Sequence, residues 1–375
     1  MAVSRSVELL SSATPRGAHP YYMFEAIREQ PGAIRRVIER NHDGICAFAD
    51  KLTGARAVWL AGIGTSLNAA MYGEYWLRSA GGIRWVRAVS SFDLANYFPA
   101  LETGWALITV SHRGWKQFSA RAATQARERG ILTAAISGEG ASEGARLADY
   151  LFITTEQEIS GAHTKSLTTA MAILFELAIE VRRLRGGDDE AARTLRAEFA
   201  EIPSRYERRI GDDGREREAA KRFKNYKRIV IIGAGPNFIT AREIALKLKE
   251  AAYAYAEAMQ VEEFLHGPIA AADAETLAIL VAGAPGAPGE RMVEAARAIG
   301  EVGAARLAVV APGVPAPEAE FTIPVEGTSE TLSPFTTILS LQLFTYYSAI
   351  ARNADPDRMR RGDPRHARAG QRYEL

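Results

Sequence analysis

The sequence has a single cysteine, Cys46, so it holds no internal disulfide and no cysteine cluster of metal-site spacing. Its N-terminus lacks the charged-then-apolar pattern of a secretion signal. No apolar run approaches the roughly 20 residues that span a bilayer. These absences predict a protein of a reducing compartment, and the cytoplasm is the expected location.

A large net charge of either sign is also missing. The 46 basic and 45 acidic residues give a net charge of +1, which argues against broad attraction to nucleic acid or to a membrane surface. Hydrophobic residues make up 47% and charged residues 24%, as in an ordinary globular protein. We therefore expect small-molecule partners or a second copy of the chain. The length of 375 residues predicts two domains.

An internal repeat organises the chain. The apolar strand, turn and helix pattern that begins at Arg56 returns 172 residues later at Arg228. Apolar strands alternate with helical stretches in both halves: IRWVRAV, WALITV, ILTAAIS and YLFITT in the first, and LAILVAG, ARLAVVAPG and FTIPV in the second. This alternation predicts βαβ units and a parallel sheet covered by helices on both faces.

The predicted domain boundaries follow the repeat. They are a helical arm over 1–50, a first domain over 51–186, a single connecting helix in 187–222, a second domain over 223–354 and a basic tail over 355–375. Neither terminal segment is expected to contribute to a core.

Three loops of the first half are candidates for binding an anion, because parallel sheets present helix N-termini beyond the carboxyl ends of their strands. They contain Gly64, Thr65 and Ser66 in the first loop, Ser111, His112, Arg113 and Lys116 in the second, and His163 and Lys165 in the third. Each loop also has a structural interpretation, as a capped turn, a solvated basic turn and a helix cap respectively. Neither a GxGxxG fingerprint nor a P-loop occurs, and no cofactor or metal ion is expected.

The second half carries a candidate acid/base group. Glu243, Lys247 and Glu250 are spaced three and four residues apart, so they share one face of a predicted helix. His266 follows, just before a Gly-Pro turn. A surface ion-pair ladder is one interpretation. The other is catalytic, because a carboxylate and a histidine are the groups needed to move a proton between adjacent sugar carbons and to open a sugar ring.

From about residue 20 onward, the chain resembles the double sugar isomerase (SIS) domain family, in particular the isomerase half of glucosamine-6-phosphate synthase. The motifs that carry this resemblance in the second half are Gly235-Pro236-Asn237, Glu243-x-x-x-Lys247-Leu-Lys249-Glu250, Ala256-Glu257-Ala258 and Glu263-x-x-His266-Gly267-Pro268. Those of the first half are Gly64-Thr65-Ser66, Ser111 and Thr164-Lys165-x-x-Thr168-Thr169.

The resemblance implies an α/β fold of two tandem three-layer αβα SIS domains with parallel, flavodoxin-like sheets, and a homodimer with a shared active site. It implies that Glu250 is the base that moves a proton between C1 and C2, and that Lys247 orients the sugar hydroxyls. His266 would assist ring opening from the neighbouring subunit. The sugar phosphate would bind at Ser66, Ser111, His112, Arg113 and Lys116.

Three departures from the family matter. Ala2 stands where the synthase has its glutaminase cysteine, and no lysine follows Lys249 to form the tail imine, which an arginine cannot readily make. The family's Ser-Gln-Ser-Gly-x-Thr loop is replaced by Ser-His-Arg-Gly-Trp-Lys, and His163 replaces a serine. We therefore expect no use of glutamine within this chain, and a different or more anionic ligand than fructose 6-phosphate.

These observations predict an isomerase, deaminase or deglycase that acts on an amino-sugar or amine-linked hexose 6-phosphate. The alternative is a non-catalytic sensor that binds a sugar phosphate and regulates a partner.

Overall fold

The computed structural model describes residues 13–98, 101–114, 117–140, 143–186, 189–315 and 317–373. Two parallel five-stranded sheets, each flanked by helices, form the α/β architecture that the sequence predicts. The strand order is β2-β1-β3-β4-β5 in one sheet and β10-β9-β8-β6-β7 in the other. Counted from its own first strand, each sheet has the order 2-1-3-4-5, which is the flavodoxin-like order.

The first module begins with a long helix and continues as alternating strands and helices. Its elements are α1 (Tyr22–Thr53), β1 (Ala57–Gly62), α2 (Thr65–Ser79), β2 (Val86–Ser90), α3 (Ser91–Asn96), β3 (Trp105–Val110), α4 (Gln117–Glu128), β4 (Leu132–Ser137), α5 (Glu143–Arg146), β5 (Tyr150–Ile153) and α6 (Lys165–Leu184).

The second module follows a helical connection. The connection contains α7 (Glu190–Ala200), α8 (Ile202–Gly211) and α9 (Gly214–Arg222). The module consists of β6 (Arg228–Gly233), α10 (Pro236–Ala251), β7 (Tyr255–Gln260), α11 (Val261–Leu265), a 3₁₀ turn (Pro268–Ala271), β8 (Thr276–Ala282), α12 (Ala287–Glu301), β9 (Ala305–Val310), β10 (Phe321–Pro324) and α13 (Ser333–Ala351), and it is followed by α14 (Pro364–Gly370).

Glycines shape the same strand-to-helix turn in both modules. A Cβ on Gly62 would lie 2.4 Å from a backbone oxygen of the following helix, and one on Gly233 would lie 2.3 Å from the corresponding oxygen. Gly64 and Gly235 have φ angles of 61° and 51°, in the left-handed region where glycine is unstrained. Each helix can therefore begin close to the end of its strand, with its first backbone amides directed to the sheet edge.

One local prediction is wrong, and one strand was missed. The connection is three helices rather than one, because the chain breaks at Glu201 and restarts with Pro203 in the first turn of α8. Strand β7 was not predicted: it lies at the edge of its sheet and is mostly not buried, so its sequence YAEAMQ lacks a continuous apolar pattern.

The terminal segments also differ from expectation, because both pack on the body of the protein. Helix α1 buries one face in the main core, where Met23, Ile27, Ile34 and Phe48 are fully covered. In the tail that follows α13, the side chain of Asp357 is buried, with 4% of the residue exposed. Helix α14 near the C-terminus contributes no buried residue.

The two modules share one hydrophobic core. The indole of Trp76 in α2 stacks on Phe335 in α13 with ring centroids 5.4 Å apart. Nearby, the hydroxyls of Tyr72 and Thr240 are hydrogen-bonded at 2.7 Å, which joins α2 to α10. The corresponding helices of the two repeats thus face each other. In the described part of the chain, no helix is both long enough and apolar enough to cross a bilayer.

Candidate active site

The carboxylates and the lysine of α10 form a buried cluster. The Lys247 ammonium donates to Oε2 of Glu250 at 2.6 Å and lies 3.4 Å from Oε1 of Glu243. Lys247 is 1% exposed and Glu243 is fully buried, whereas Glu250 keeps 18% of its side chain exposed. The shared face that the spacing predicts therefore points inward, and the surface-ladder interpretation is wrong.

The first module holds the other side of this cluster. The Thr65 hydroxyl donates to Oε1 of Glu243 at 3.0 Å, and the Asn68 side-chain amide donates to Oε2 at 2.7 Å. Sequence reasoning missed Asn68, which lies one turn into α2 and 4% exposed. Only its position in the same repeat motif as Thr65 hinted at it. Glu243 is thus bound by the anion loop of the opposite module.

Burial and mutual charge set the protonation of the cluster. Burial raises the pKa of Glu250, Lys247 lowers it and Glu243 raises it again, so that the net pKa lies above that of an ordinary glutamate. Burial alone would lower the pKa of Lys247, but the charges of Glu250 and Glu243 outweigh it and raise that pKa. A permanently charged lysine beside a carboxylate of raised pKa suits proton transfer near neutral pH.

A cleft opens next to this cluster at the carboxyl edge of the first sheet. It encloses about 300 Å³, including the solvent at its mouth, and its lining comes from the first module. Its polar lining is Thr65, Ser66, His112, Thr154, His163 and Ser166. Glu250 does not line the cleft. The two are joined through Thr65, which lines the cleft and also donates to Glu243.

The second candidate loop presents two buried polar atoms without partners. Ser111 Oγ and His112 Nε2 are both buried and have no hydrogen-bond partner among the described residues. His112 Nδ1 lies 3.3 Å from the Thr154 hydroxyl, which itself donates to a backbone oxygen. Nδ1 is therefore the protonated ring nitrogen, and Nε2 carries a lone pair. Burial lowers the pKa of His112 to about 4. Unpartnered buried groups of this kind are unusual away from a ligand site.

Arg113 and His163 meet across the loops that carry them. The guanidinium lies 3.1 Å from His163 Nε2, and the rings of His163 and His112 lie 5.2 Å apart. Burial, followed by the charge of Arg361 in the tail, lowers the pKa of Arg113 to about 10. The structure therefore brings three predicted ligand-binding residues together. Lys116, the fourth candidate of this loop group, lies outside the described residues.

Gly64, Ser66 and Lys165 complete the candidate set. Gly64 caps α2 at the mouth of the site, and Ser66 lines the cleft. The Lys165 ammonium forms ion pairs with Glu29 and Glu156 instead, and it is not among the residues that line the cleft.

One group of side chains in the described residues could hold a metal ion, namely His112, Glu158 and His163, whose ligand atoms lie within 4.8 Å of one another. Glu158 already accepts hydrogen bonds from the backbone amides of Thr164, Lys165 and Ser166 at the start of α6. A metal ion would compete with these contacts and with the Arg113 guanidinium at His163. Glu158 and His163 are therefore already held by other groups of the protein.

His266 lies away from the other candidates within a single chain. Its side chain is 77% exposed and contacts Glu262, with Nε2 3.5 Å from a carboxylate oxygen. Glu262 is in turn paired with Arg291 at 2.5 Å. The described residues of one chain therefore do not bring His266 to Glu250.

The equivalent cleft of the second module is filled by its own side chains. Asn237 donates to the Ser333 hydroxyl and accepts from the Thr337 hydroxyl, each at 2.8 Å. A Cβ on Gly283 would lie 2.7 Å from the Asn237 amide, so the side chain fits against the strand end. The repeat is therefore asymmetric, with an open cleft in the first module and the acidic helix in the second.

Comparison with known proteins supports this description. The sequence profile of the SIS domain family matches residues 51–180 and 222–352. The glutamine–fructose-6-phosphate aminotransferase (isomerizing) of Pectobacterium atrosepticum is 31% identical in an alignment of 365 residues. The alignment covers 93% of this chain. The match spans 59% of that relative, so the chain corresponds to about three fifths of its length.

Solved structures have the same fold. The C-terminal domain of glucosamine-fructose-6-phosphate aminotransferase from Francisella tularensis superposes with a TM-score of 0.83 at 21% identity, covering 92% of this chain and 99% of that one. Tagatose-6-phosphate ketose/aldose isomerase from Escherichia coli gives a TM-score of 0.75 at 22% identity, covering 92% and 98%.

Proposed function

The chain belongs to the SIS domain family, and on that premise we propose that it is an enzyme acting on an amino-sugar or amine-linked hexose 6-phosphate. The reaction is proton transfer between C1 and C2, as in an isomerase, a deaminase or a deglycase. The observation that carries the proposal is the Lys247–Glu250 pair beside a cleft whose lining includes hydroxyl and imidazole groups.

The cleft supports binding of the phosphate end. Ser66 at the start of α2 supplies a donor in the cleft, and the first amides of α2 add the positive end of a helix. The unpartnered Ser111 hydroxyl belongs to the same loop as His112, which lines the cleft. The ring of His112 supplies a neutral acceptor for a sugar hydroxyl or for the acidic form of a phosphate.

Glu250 is the proposed base. Its carboxylate removes the proton from one of the two carbons and returns it to the adjacent carbon, through an enediol or enolamine. Lys247 stays protonated throughout, so it can donate to the oxygen on which negative charge develops and can keep Glu250 oriented. Glu243 holds Lys247 from the other side and touches neither carbon, so its proposed role is positioning.

His266 is proposed to act from a second copy of the chain. Its exposed position supports this role, because a surface histidine is available to enter the site of a neighbouring subunit. A homodimer with a shared site is therefore part of the proposal.

Proton NMR in D₂O tests the proposal. The purified protein is incubated with glucosamine 6-phosphate, with fructose 6-phosphate and ammonia, and with a fructosamine 6-phosphate. We expect deuterium to enter at C1 or C2 of one of them. The Glu250→Gln variant should bind the same compound, as followed by phosphorus NMR, but should not catalyse exchange.

Glu301→Gln is the matched control, because Glu301 is exposed at the end of α12 and has no part in the site. It should exchange deuterium at the wild-type rate. Full exchange in Glu250→Gln would refute the assignment of the base.

The second candidate function is a sugar-phosphate sensor. The exposure of His266 favours it, since the described residues of a single chain do not bring this histidine to Glu250. Binding without any exchange, in the dimeric protein, would select the sensor.

A further inference from the structure

The buried carboxylate of Glu243 has hydrogen-bond partners in both modules. Its Oε2 accepts from the Asn68 side-chain amide at 2.7 Å. Its Oε1 accepts from the Thr65 hydroxyl at 3.0 Å and faces the Lys247 ammonium at 3.4 Å. Each oxygen therefore has a side-chain donor from α2 of the first module. A rotation of the carboxylate would break contacts at both oxygens, so α2 fixes the oxygen that faces the lysine.

The orientation of the Asn68 amide is set by a second contact. The Arg242 guanidinium donates to Oδ1 of Asn68 at 3.3 Å, so the amide oxygen has its own donor and the NH₂ group faces Glu243. Asn68 is buried, and it is not among the residues that line the cleft, whereas Thr65 is. The side chain of Asn68 therefore serves the Glu243 carboxylate without belonging to the surface that a ligand in the cleft would touch.

The side chains of Glu243, Lys247 and Glu250 form a row of alternating charge along α10. The Lys247 ammonium lies 2.6 Å from Glu250 and 3.4 Å from Glu243, so it is held closer to the proposed base. Both carboxylates compete for this one ammonium. A carboxylate that already accepts a short hydrogen bond competes less strongly, because part of its charge is satisfied by the donor. The Asn68 amide thus favours the position of Lys247 at Glu250.

We propose that Asn68 is a positioning residue of the proton transfer, which fixes the Glu243 carboxylate and thereby keeps the Lys247 ammonium at the Glu250 base. The inference rests on the proposed function and adds a residue of the first module to the group that orients the base. Asn68 touches neither the substrate nor Glu250, and it acts through two side chains of the opposite module.

Removal of the Asn68 amide should draw Lys247 toward Glu243. A fully buried carboxylate that loses a donor binds the cation that faces it more tightly, and for Glu243 that cation is Lys247. Glu250 then loses a hydrogen bond that stabilises its charged form, so its pKa should rise. Glu243→Gln has the opposite effect, because it removes a like charge that raises the pKa of Glu250. The two substitutions should therefore shift the titration of Glu250 in opposite directions.

Other charges that face this row come from the first module. Besides burial, which raises the pKa of Glu250, the Lys247 charge lowers it, the Glu243 charge raises it and the Arg113 charge from the second loop lowers it. Glu158, in the loop before α6, adds negative charge near Lys247. Arg113 and Glu158 are kept in every variant below, so differences between the variants report the Asn68 contact.

Carbon-13 NMR of the full chain, labelled at the glutamate carboxyl carbons, tests the inference without a substrate. The Glu250 resonance is assigned by its absence in Glu250→Gln. We expect Asn68→Ala to raise the titration midpoint of Glu250 by about one pH unit, the order of one lost hydrogen bond to a charged group. Asn68→Ala combined with Glu243→Gln should titrate like Glu243→Gln alone, because the effect of Asn68 passes through Glu243.

Tyr206→Phe is the control for a merely structural effect. The Tyr206 hydroxyl is buried and donates to the Phe335 carbonyl at 2.8 Å, outside the site. Its loss should lower the stability of the protein but leave the Glu250 midpoint in place. An unchanged or lowered midpoint in Asn68→Ala would overturn the inference. A rise of equal size in the double variant would do so as well, because Asn68 would then not act through Glu243.

The deuterium-exchange assay separates this inference from the proposed function. Asn68→Ala should lower kcat about tenfold and leave KM near the wild-type value, since Asn68 does not line the cleft. If the wild type exchanges none of glucosamine 6-phosphate, fructose 6-phosphate with ammonia, and a fructosamine 6-phosphate, the proposed function fails and the role of Asn68 in proton transfer fails with it. If the wild type exchanges one of them but Asn68→Ala keeps its kcat, only the role of Asn68 is overturned.

Discussion

Asn68, on the first helix after β1, donates a hydrogen bond of 2.7 Å to Glu243, on the corresponding helix of the other repeat. With Gly62 aligned to Gly233, Asn68 corresponds to Ile239 and Glu243 corresponds to Tyr72. The contact therefore joins positions that are one helical turn apart in the repeat. The contact joins the modules at the point where the cleft meets Lys247.

Removing this donor should cost stability. Asn68→Ala leaves a fully buried carboxylate oxygen without one of its partners, so we expect a loss of about 1–3 kcal/mol in the free energy of unfolding, measured by urea titration. Asn96→Ala is the control, because Asn96 is exposed and its side chain contacts the Phe92 carbonyl and the Arg121 guanidinium at the surface. Equal stability of Asn68→Ala and the wild type would contradict the role of this contact.

The fall of the deuterium-exchange rate at low pH, which we call the acid limb, should report the pKa of Glu250. Deuterium exchange needs the Glu250 carboxylate, whose pKa burial raises, so the rate should fall with acidification at a higher pH than an ordinary glutamate would give. Glu243 also raises the Glu250 pKa through its like charge. Glu243→Gln should therefore move the acid limb to lower pH. A limb that stays in place or moves upward in a pH–rate series would contradict this coupling.

His112 should make the protein sensitive to acid. Burial lowers its folded-state pKa to about 4 from 6.5, so the unfolded chain takes up this proton first as the pH falls. The stability contributed by neutral His112 is complete above pH 6.5 and is lost on acidification from there toward pH 4. The expected decrease in the free energy of unfolding is up to about 3 kcal/mol.

The His112→Gln variant isolates this effect. Urea unfolding of both proteins, above pH 6.5 and near pH 4, should give the variant a smaller loss of stability on acidification. An identical pH dependence in the two proteins would show that His112 is not the titrating group.

The attachment of tail residues 355–361 to the body of the protein should depend on Asp357. Its carboxylate accepts from the backbone amides of Tyr22 and Met23 at 3.0 and 2.8 Å, so it caps α1 from 334 residues further along the chain. Asp357→Ala should cost about 1–2 kcal/mol, as the loss of a helix cap does. It should also free this tail segment, so that trypsin cleaves at the arginines of the tail sooner than in the wild type.

Asp363→Ala provides the comparison. Asp363 caps α14 through the Arg365 amide at 2.8 Å, but that helix buries no residue. Its removal should leave the unfolding free energy nearly unchanged. Equal destabilisation by both substitutions, measured by thermal unfolding, would contradict a specific role for the contact between Asp357 and α1.

Much of the fold could be predicted, because it rests on local patterns. The strand ending at Gly62 and its counterpart at Gly233 combine apolar runs with glycines that the close helix approach requires. Where the pattern was weak, prediction failed: β7 is an edge strand that is mostly not buried, and the break at Pro203 was read as continuous helix.

The site was predictable only within single helices and loops. The spacing of Glu243, Lys247 and Glu250 predicted a shared face, and the structure shows that this face is buried. Asn68 was missed because its partner lies 175 residues away. The roles of the individual residues, including that of His266 from a second copy, stay predictions.

By itself, the sequence determined the duplicated α/β modules and the face that carries Glu250, since the periods of strands and helices and the requirements of glycine act over a few residues. Tertiary structure alone decided that the acid helix of one repeat is held by the anion loop of the other. It also decided that Asp357 in the tail accepts from the first backbone amides of α1. These contacts depend on how two modules pack around a shared core, and no local period in the chain encodes that packing.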